Sequence, residues 1–209
     1  MATCAALGQA VGAAAALPVR HGLTPRQVAQ TRVAELQQTL MDDDCYLPWR
    51  QRDVSDLTRR ARLTASSGDP EPLRNGVDRP VGQKDNGWSD ILGQAWLQYE
   101  FDKATDIRGQ RLVFDSDLNR NGPVGACRRN IPCAYPLNAP PKQVPPSLVR
   151  AFLIEARDPR GAWRVVAEVK ENHQRLVRLS TPVCATAVRF TPRATWGAER
   201  AHLFAWDVE

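Results

Sequence analysis

Residues 96–101 read Trp-Leu-Gln-Tyr-Glu-Phe, and their order decides the fold class. Leu97, Tyr99 and Phe101 alternate with Trp96, Gln98 and Glu100, the period of two that a strand with one buried face requires. Leu112 and Phe114 carry the pattern into a following strand, and further strand candidates run over 148–157, 163–169, 175–179, 185–191 and 201–208. Turn signals separate them: Asp158-Pro159-Arg160-Gly161, Glu171-Asn172 and Pro192-Arg193. Short strands in this number, with no helical periodicity between them, predict a β-sandwich or jelly roll over residues 59–209. Within it, 121–146 is rich in Pro and Gly and reads as a long loop.

Upstream the texture changes. Residues 5–20 read as a helix whose core, AALGQAVGAAAAL, has no charged face; a helix apolar all round is normally buried all round. Gly8 and Gly12 lie four apart and so share a face, and Gly22 suits the position just past the helix end. A second helix starts at Thr24, with Pro25 at its first turn and Gln27 completing a capping box. Val28, Val33, Leu36 and Leu40 form its apolar stripe, and Asp42-Asp43-Asp44 predicts a stop near Met41, because acids disfavour a helix C-terminus. The predicted organisation is therefore a two-helix segment over 1–44, a linker over 45–58 and a β-sandwich over 59–209. About forty residues cannot bury a core alone, so the two-helix segment implies a partner surface.

Composition removes several function classes. The chain has 209 residues, 43% hydrophobic and 24% charged, with net charge +5, an ordinary balance for a folded domain. Its Arg residues are scattered among Asp and Glu rather than clustered, which argues against nucleic-acid binding. No apolar run of 18 residues predicts a membrane span. The Ala-rich start lacks a positive n-region and so does not read as a signal peptide; a signal for an exported parent protein would lie upstream. Five Cys show no zinc spacing; Cys127 and Cys133 share the Pro-rich loop and are either a local disulfide or two thiols. His21, His173 and His202 stand apart from any nucleophile motif, so a self-sufficient hydrolase is not expected.

Two resemblances add to this reading. The stretch from Ala2 to Pro48, ATCAALGQAVGAAAALPVRHGLTPRQVAQTRVAELQQTLMDDDCYLP, resembles the end of the flavin domain in a group of FAD-dependent oxidoreductases. The resemblance implies that Thr3, Ala6, Leu7, Gly8, Gln9 and Gly12 line an FAD site in a longer flavoprotein. It also implies that an N-terminal flavin domain is the missing partner and that Met1 is a boundary rather than the natural start. The GxGxxG unit that would hold the dinucleotide is not in this sequence, so FAD binding and catalysis by this piece alone are not expected. The second stretch carries ARLTASSG from Ala61, NGVDRP at 75–80, NGWSD at 86–90, WLQYEF at 96–101 and the closing HLFAWDV. It resembles a discoidin-type (F5/8 type C) domain of the galactose-binding-like fold, which implies an eight-stranded jelly roll whose end loops hold a sugar or phospholipid, often with structural calcium.

Trp88 is the candidate stacking platform, with Asp78, Arg79 and Asn86 as polar ligand contacts and Trp96 as a second aromatic; the competing role for either Trp is core packing. Asp78, Asp85 and Asp90 are oxygen donors for calcium or simply turn-forming acids. The run Asp115–Arg120 is a strand-end candidate for binding or a solvated turn. The expectation is thus the C-terminal part of an FAD-dependent oxidoreductase with an accessory sandwich, the alternative being a carbohydrate-binding module that acts without a flavin.

Overall fold

The structure, a computed structural model, describes residues 2–117 and 144–209. Cys127 and Cys133, and the run from Leu118 to Arg120, lie outside the described residues. Helices occupy Ala2–His21 (α1), Pro25–Thr31 (α2), Val33–Asp42 (α3) and Asp56–Arg60 (α4). Strands occupy Arg62–Ala65 (β1), Trp88–Ile91 (β2), Leu97–Phe114 (β3), Val149–Arg157 (β4), Trp163–Val169 (β5), Leu176–Thr195 (β6) and Arg200–Val208 (β7). All pairings are antiparallel, in the order β2-β7-β3-β6-β4-β5, with β1 added to β3. The fold is the expected mainly β jelly-roll sandwich, and its sheet does not close.

Two strands build both layers. β3 pairs β1 and the C-terminal part of β6 along 97–100, then pairs β7 and the start of β6 along 109–114. Register shifts between Glu100 and Thr105 and between Ile107 and Gly109 turn the strand from one layer into the other, as bulges do. At Gly109 an added Cβ would lie 2.8 Å from the Leu179 carbonyl oxygen, so only glycine lets the two backbones cross there. The sequence patterns at 96–101 and 112–114 therefore belong to one bent strand, and 175–179 and 185–191 to another. β2 carried no alternation long enough to predict it.

Between the layers runs a chain of buried aromatic rings. Phe114, Phe152 and Phe190 lie 5.3 to 6.1 Å apart, and Phe190 continues to Trp206, which meets Tyr99 at 4.7 Å. The two polar aromatics are satisfied inside: the Tyr99 hydroxyl donates to the Trp206 carbonyl, and the Trp206 indole N–H donates to Gln110 Oε1.

The helical segment follows its reading except within the second helix. α1 ends as expected, with Gly22 at φ 64°, and the Thr24–Gln27 capping box forms. The second helix, however, lapses at Arg32 (φ −127°, ψ 16°) into two short helices. Its C-terminus falls at Asp42, beside the expected stop near Met41, and guanidiniums from the sandwich supply positive charge there: Arg111 and Arg178 donate to the Asp42 carbonyl, Arg178 reaches Asp43, and Arg79 and Arg175 hold the Asp44 carboxylate. Residues 45–58, read as a linker, are built into the sandwich edge: Arg52 is buried, and the Thr58 hydroxyl accepts from the Val208 N–H.

Candidate functional site

A concavity near the candidate residues lies between two loops. One is 46–51, after α3; the other is 77–86, before β2. They are pinned together at their base. The Arg52 N–H donates to the Gly76 carbonyl at 3.0 Å, and Gly76 adopts φ 75° with room for no Cβ, which would meet the Arg52 oxygen at 2.2 Å. Deeper still, Arg52 and Arg111 interleave with Asp78 and Asp207: Arg52 lies 3.1 Å from Asp78 and 2.7 Å from Asp207, and Arg111 lies 2.9 and 3.3 Å from the same two. All four side chains are buried. Burial opposes the charge on Arg52, but Asp207 and Asp78 outweigh it and raise its pKa. Burial pushes Asp207 up to about 6, against the pull of Arg52 and Arg111.

Above this base the two loops present a cleft of about 590 Å³, within the range of small-molecule sites. Trp49 stands at its edge, 100% exposed, in a positive-φ turn (φ 60°). Tyr46, 46% exposed, lines it too, with the Arg79 guanidinium 5.0 Å from its ring centre. Gln51, Arg50 and Lys84 supply polar groups, and Val77 and Val81 apolar surface. Lys84 sits on a tight turn closed by mutual backbone bonds with Val81.

The sequence candidates take other places. Trp88 is 2% exposed, packs in the core and donates its indole N–H to the Ser67 carbonyl at 2.8 Å; it cannot offer a face to a sugar. Trp96 lies on the outer sheet face, 5.6 Å from the Arg189 guanidinium, which also covers Trp163 at 4.4 Å. Asp78 is spent on the two buried arginines. Arg79 holds Asp44 and Tyr46, so it supports the cleft wall. Asn86 lines the cleft, but its amide donates to the Arg79 carbonyl and accepts from Asn75; it shapes the loop. Tyr46, Trp49, Arg50 and Lys84 were not anticipated: they lie in a segment read as linker and in a polar turn. The only signal was two large aromatics in a stretch with no strand or helix pattern to bury them.

The acids weighed for calcium have other partners. Asp78 neutralises guanidiniums, Asp85 lies 3.0 Å from His202, and Asp90 accepts from the Ser66 hydroxyl and the Ile91 N–H. Among the described residues no three His, Cys, Asp or Glu side chains group to hold a metal. His202, isolated in sequence, sits between Asp85 and the buried Asp115, 3.0 Å from each. The flavin candidates Ala6, Leu7, Gly8, Gln9 and Gly12 lie along the exposed first half of α1, with open space where a Cβ would stand at Gly8 and Gly12. Among the described residues no helix is long and apolar enough to cross a membrane.

Comparison of the sequence with protein-family models and with curated proteins gives no match. Comparison with solved structures does. The family 32 carbohydrate-binding module from Streptococcus pneumoniae EndoD is similar with a TM-score of 0.51 at 13% identity, covering 74% of this chain and 99% of that one. Chitosan-binding module 1 of a chitosanase/glucanase from Paenibacillus sp. IK-5 is similar with a TM-score of 0.50 at 13% identity, covering 74% and 98%. At this identity what is shared is the fold: the structural neighbours of the sandwich are carbohydrate-binding modules of the discoidin-like, galactose-binding-like type.

Proposed function

We propose that this chain is a carbohydrate-binding module whose sugar sits in the cleft between residues 46–51 and 77–86. The observation that carries this reading is Trp49, a fully exposed indole at the rim of a cleft with polar side chains around it. An exposed tryptophan forgoes about the largest burial any side chain has to gain, and a sugar ring, with apolar C–H faces and hydroxyl edges, suits both the indole and the neighbouring donors. Trp49 and Tyr46 stack on the ring; Gln51, Arg50 and Lys84 bond its hydroxyls. The chain binds and does no bond-breaking chemistry in this reading. The fold shared with solved carbohydrate-binding modules supports it. Trp49→Ala is expected to abolish binding on a glycan array and in calorimetry while leaving the melting temperature within about 1 °C, because the side chain touches no core. Undiminished glycan binding by this variant would move the site elsewhere.

A second reading concerns the helical segment and rests on α1, which carries no charged residue before Arg20 yet leaves Leu7, Val11 and Val19 exposed. We propose that this face packs against a further folded unit, the flavin domain implied by the resemblance, with Thr3, Ala6, Leu7, Gly8, Gln9 and Gly12 toward its FAD. The chain by itself is then expected to stay colourless after incubation with FAD and gel filtration. A retained stoichiometric yellow flavin would overturn the dependence on a partner domain.

A further inference from the structure

Charge narrows the ligand of the proposed cleft. Arg50 and Lys84 line it, both exposed, and no carboxylate does. Of the acids in or beside the two loops, Asp44 is held by Arg79 and Arg175, Asp78 by Arg52 and Arg111, and Asp85 lies 3.0 Å from His202. A neutral sugar uses these two cations only as hydrogen-bond donors and leaves their charge unpaired. It is bonded equally well by amide and carboxylate side chains, and the latter are missing from this wall. The chain as a whole carries net charge +5 and so does nothing to offset the cations.

Resting on the carbohydrate-binding reading, we infer that the cleft takes a uronate-bearing glycan, with Trp49 and Tyr46 against one sugar face and the carboxylate between Arg50 and Lys84. A guanidinium offers the planar pair of N–H groups that matches a carboxylate edge, and the ammonium of Lys84, on its tight turn, adds a second, less directional charge. Aromatic stacking then supplies the ring contact common to all sugars, and the two cations supply the discrimination between acidic and neutral ones. Both cations reach into solvent, so the preference is screened by salt.

The test uses the full chain and pairs of trisaccharides that differ only in charge: galacturonate, glucuronate and mannuronate trimers, each beside its carboxyl-reduced neutral counterpart, titrated by calorimetry at low salt. For at least one pair the acidic form is expected to bind about tenfold or more tightly than the neutral one. In the double variant Arg50→Gln, Lys84→Gln that preference falls below about threefold, the acidic form loses more affinity than the neutral one, and the melting temperature confirms folding. Trp49→Ala loses both forms. Equal or weaker binding of every acidic form, beside Trp49-dependent binding of neutral sugars, would overturn the uronate inference and leave the carbohydrate reading standing. A preference that persists in the double variant would also overturn it. Failure of all sugars, here and on the array, would overturn both.

Discussion

The two ends of this chain hold apolar residues with very different success. In the sandwich, Phe114, Phe152, Phe190 and Trp206 touch in series and are essentially inaccessible. In the helical segment, α1 is more uniformly apolar than any strand, yet only Leu17 of its larger side chains is buried, and Val19 remains 87% exposed. The difference teaches that apolar content does not produce burial; a facing layer does. Each sheet layer of the sandwich presents its inner face to the other. α1 has only α2 and α3 on one side, and nothing in the described residues covers the other.

Breaking the comparison at its strong end has the largest expected effect. Phe190→Ala removes a ring that contacts three other aromatics and should cost about 3–5 kcal/mol in denaturant unfolding; a loss below about 1 kcal/mol would mean the sandwich core is no better packed than the helices. The seam between the regions comes next. Asp44→Ala removes the carboxylate held by Arg79 and Arg175 and leaves both guanidiniums short of a partner. Its expected cost is about 1.5–3 kcal/mol, with faster amide exchange in α3 and unchanged protection in β3 and β6. Uniform exchange changes across both regions would instead make them one cooperative unit.

A smaller effect is read through pH. The Asp207 carboxyl holds its proton to about pH 6 in the folded protein, against 3.8 for an unperturbed aspartate. Between those values the folded state binds more protons than the unfolded one. The stabilising contribution of this group is therefore complete below pH 4 and is lost as pH rises through 6. The slope is bounded by one proton, at about 1.4 kcal/mol per pH unit. Asp207→Asn, which cannot ionise, should lack this component, so the stability difference, wild type minus variant, falls from pH 4 to pH 6. A difference that rises would mean that Arg52 and Arg111 dominate over burial. The smallest effect is expected at the weak end: Leu7→Ser on exposed α1 should change stability by under about 0.5 kcal/mol, and a larger loss would show that α1 already has a covering surface.

Much of the fold was legible in short windows. WLQYEF fixed a strand, Thr24 and Gln27 a helix start, and Gly22 a helix end, because each depends on residues within one turn or one pleat. The Arg32 lapse was not legible, since the stripe Val28, Val33, Leu36 and Leu40 suits one helix or two. The candidate site was legible only in neighbourhood. The motifs at 75–80 and 86–90 bracket the loop that forms one wall, but their tryptophan, Trp88, points inward, while Trp49, in a stretch that reads as linker, stands free.

The sequence by itself determined that the described residues from 97 onward are mainly strands, that 2–42 are mainly helical and that the helices carry too little of their own to bury. Those follow from local periodicity, capping and chain length. Only the tertiary structure decided that β3 and β6 pass through both layers, that Arg52 and Asp207 meet from opposite ends of the sandwich sequence, and that of two tryptophans in turn-rich stretches one fills the core and the other faces solvent. Burial and charge pairing depend on what the rest of the chain places opposite a residue, and no local pattern encodes that.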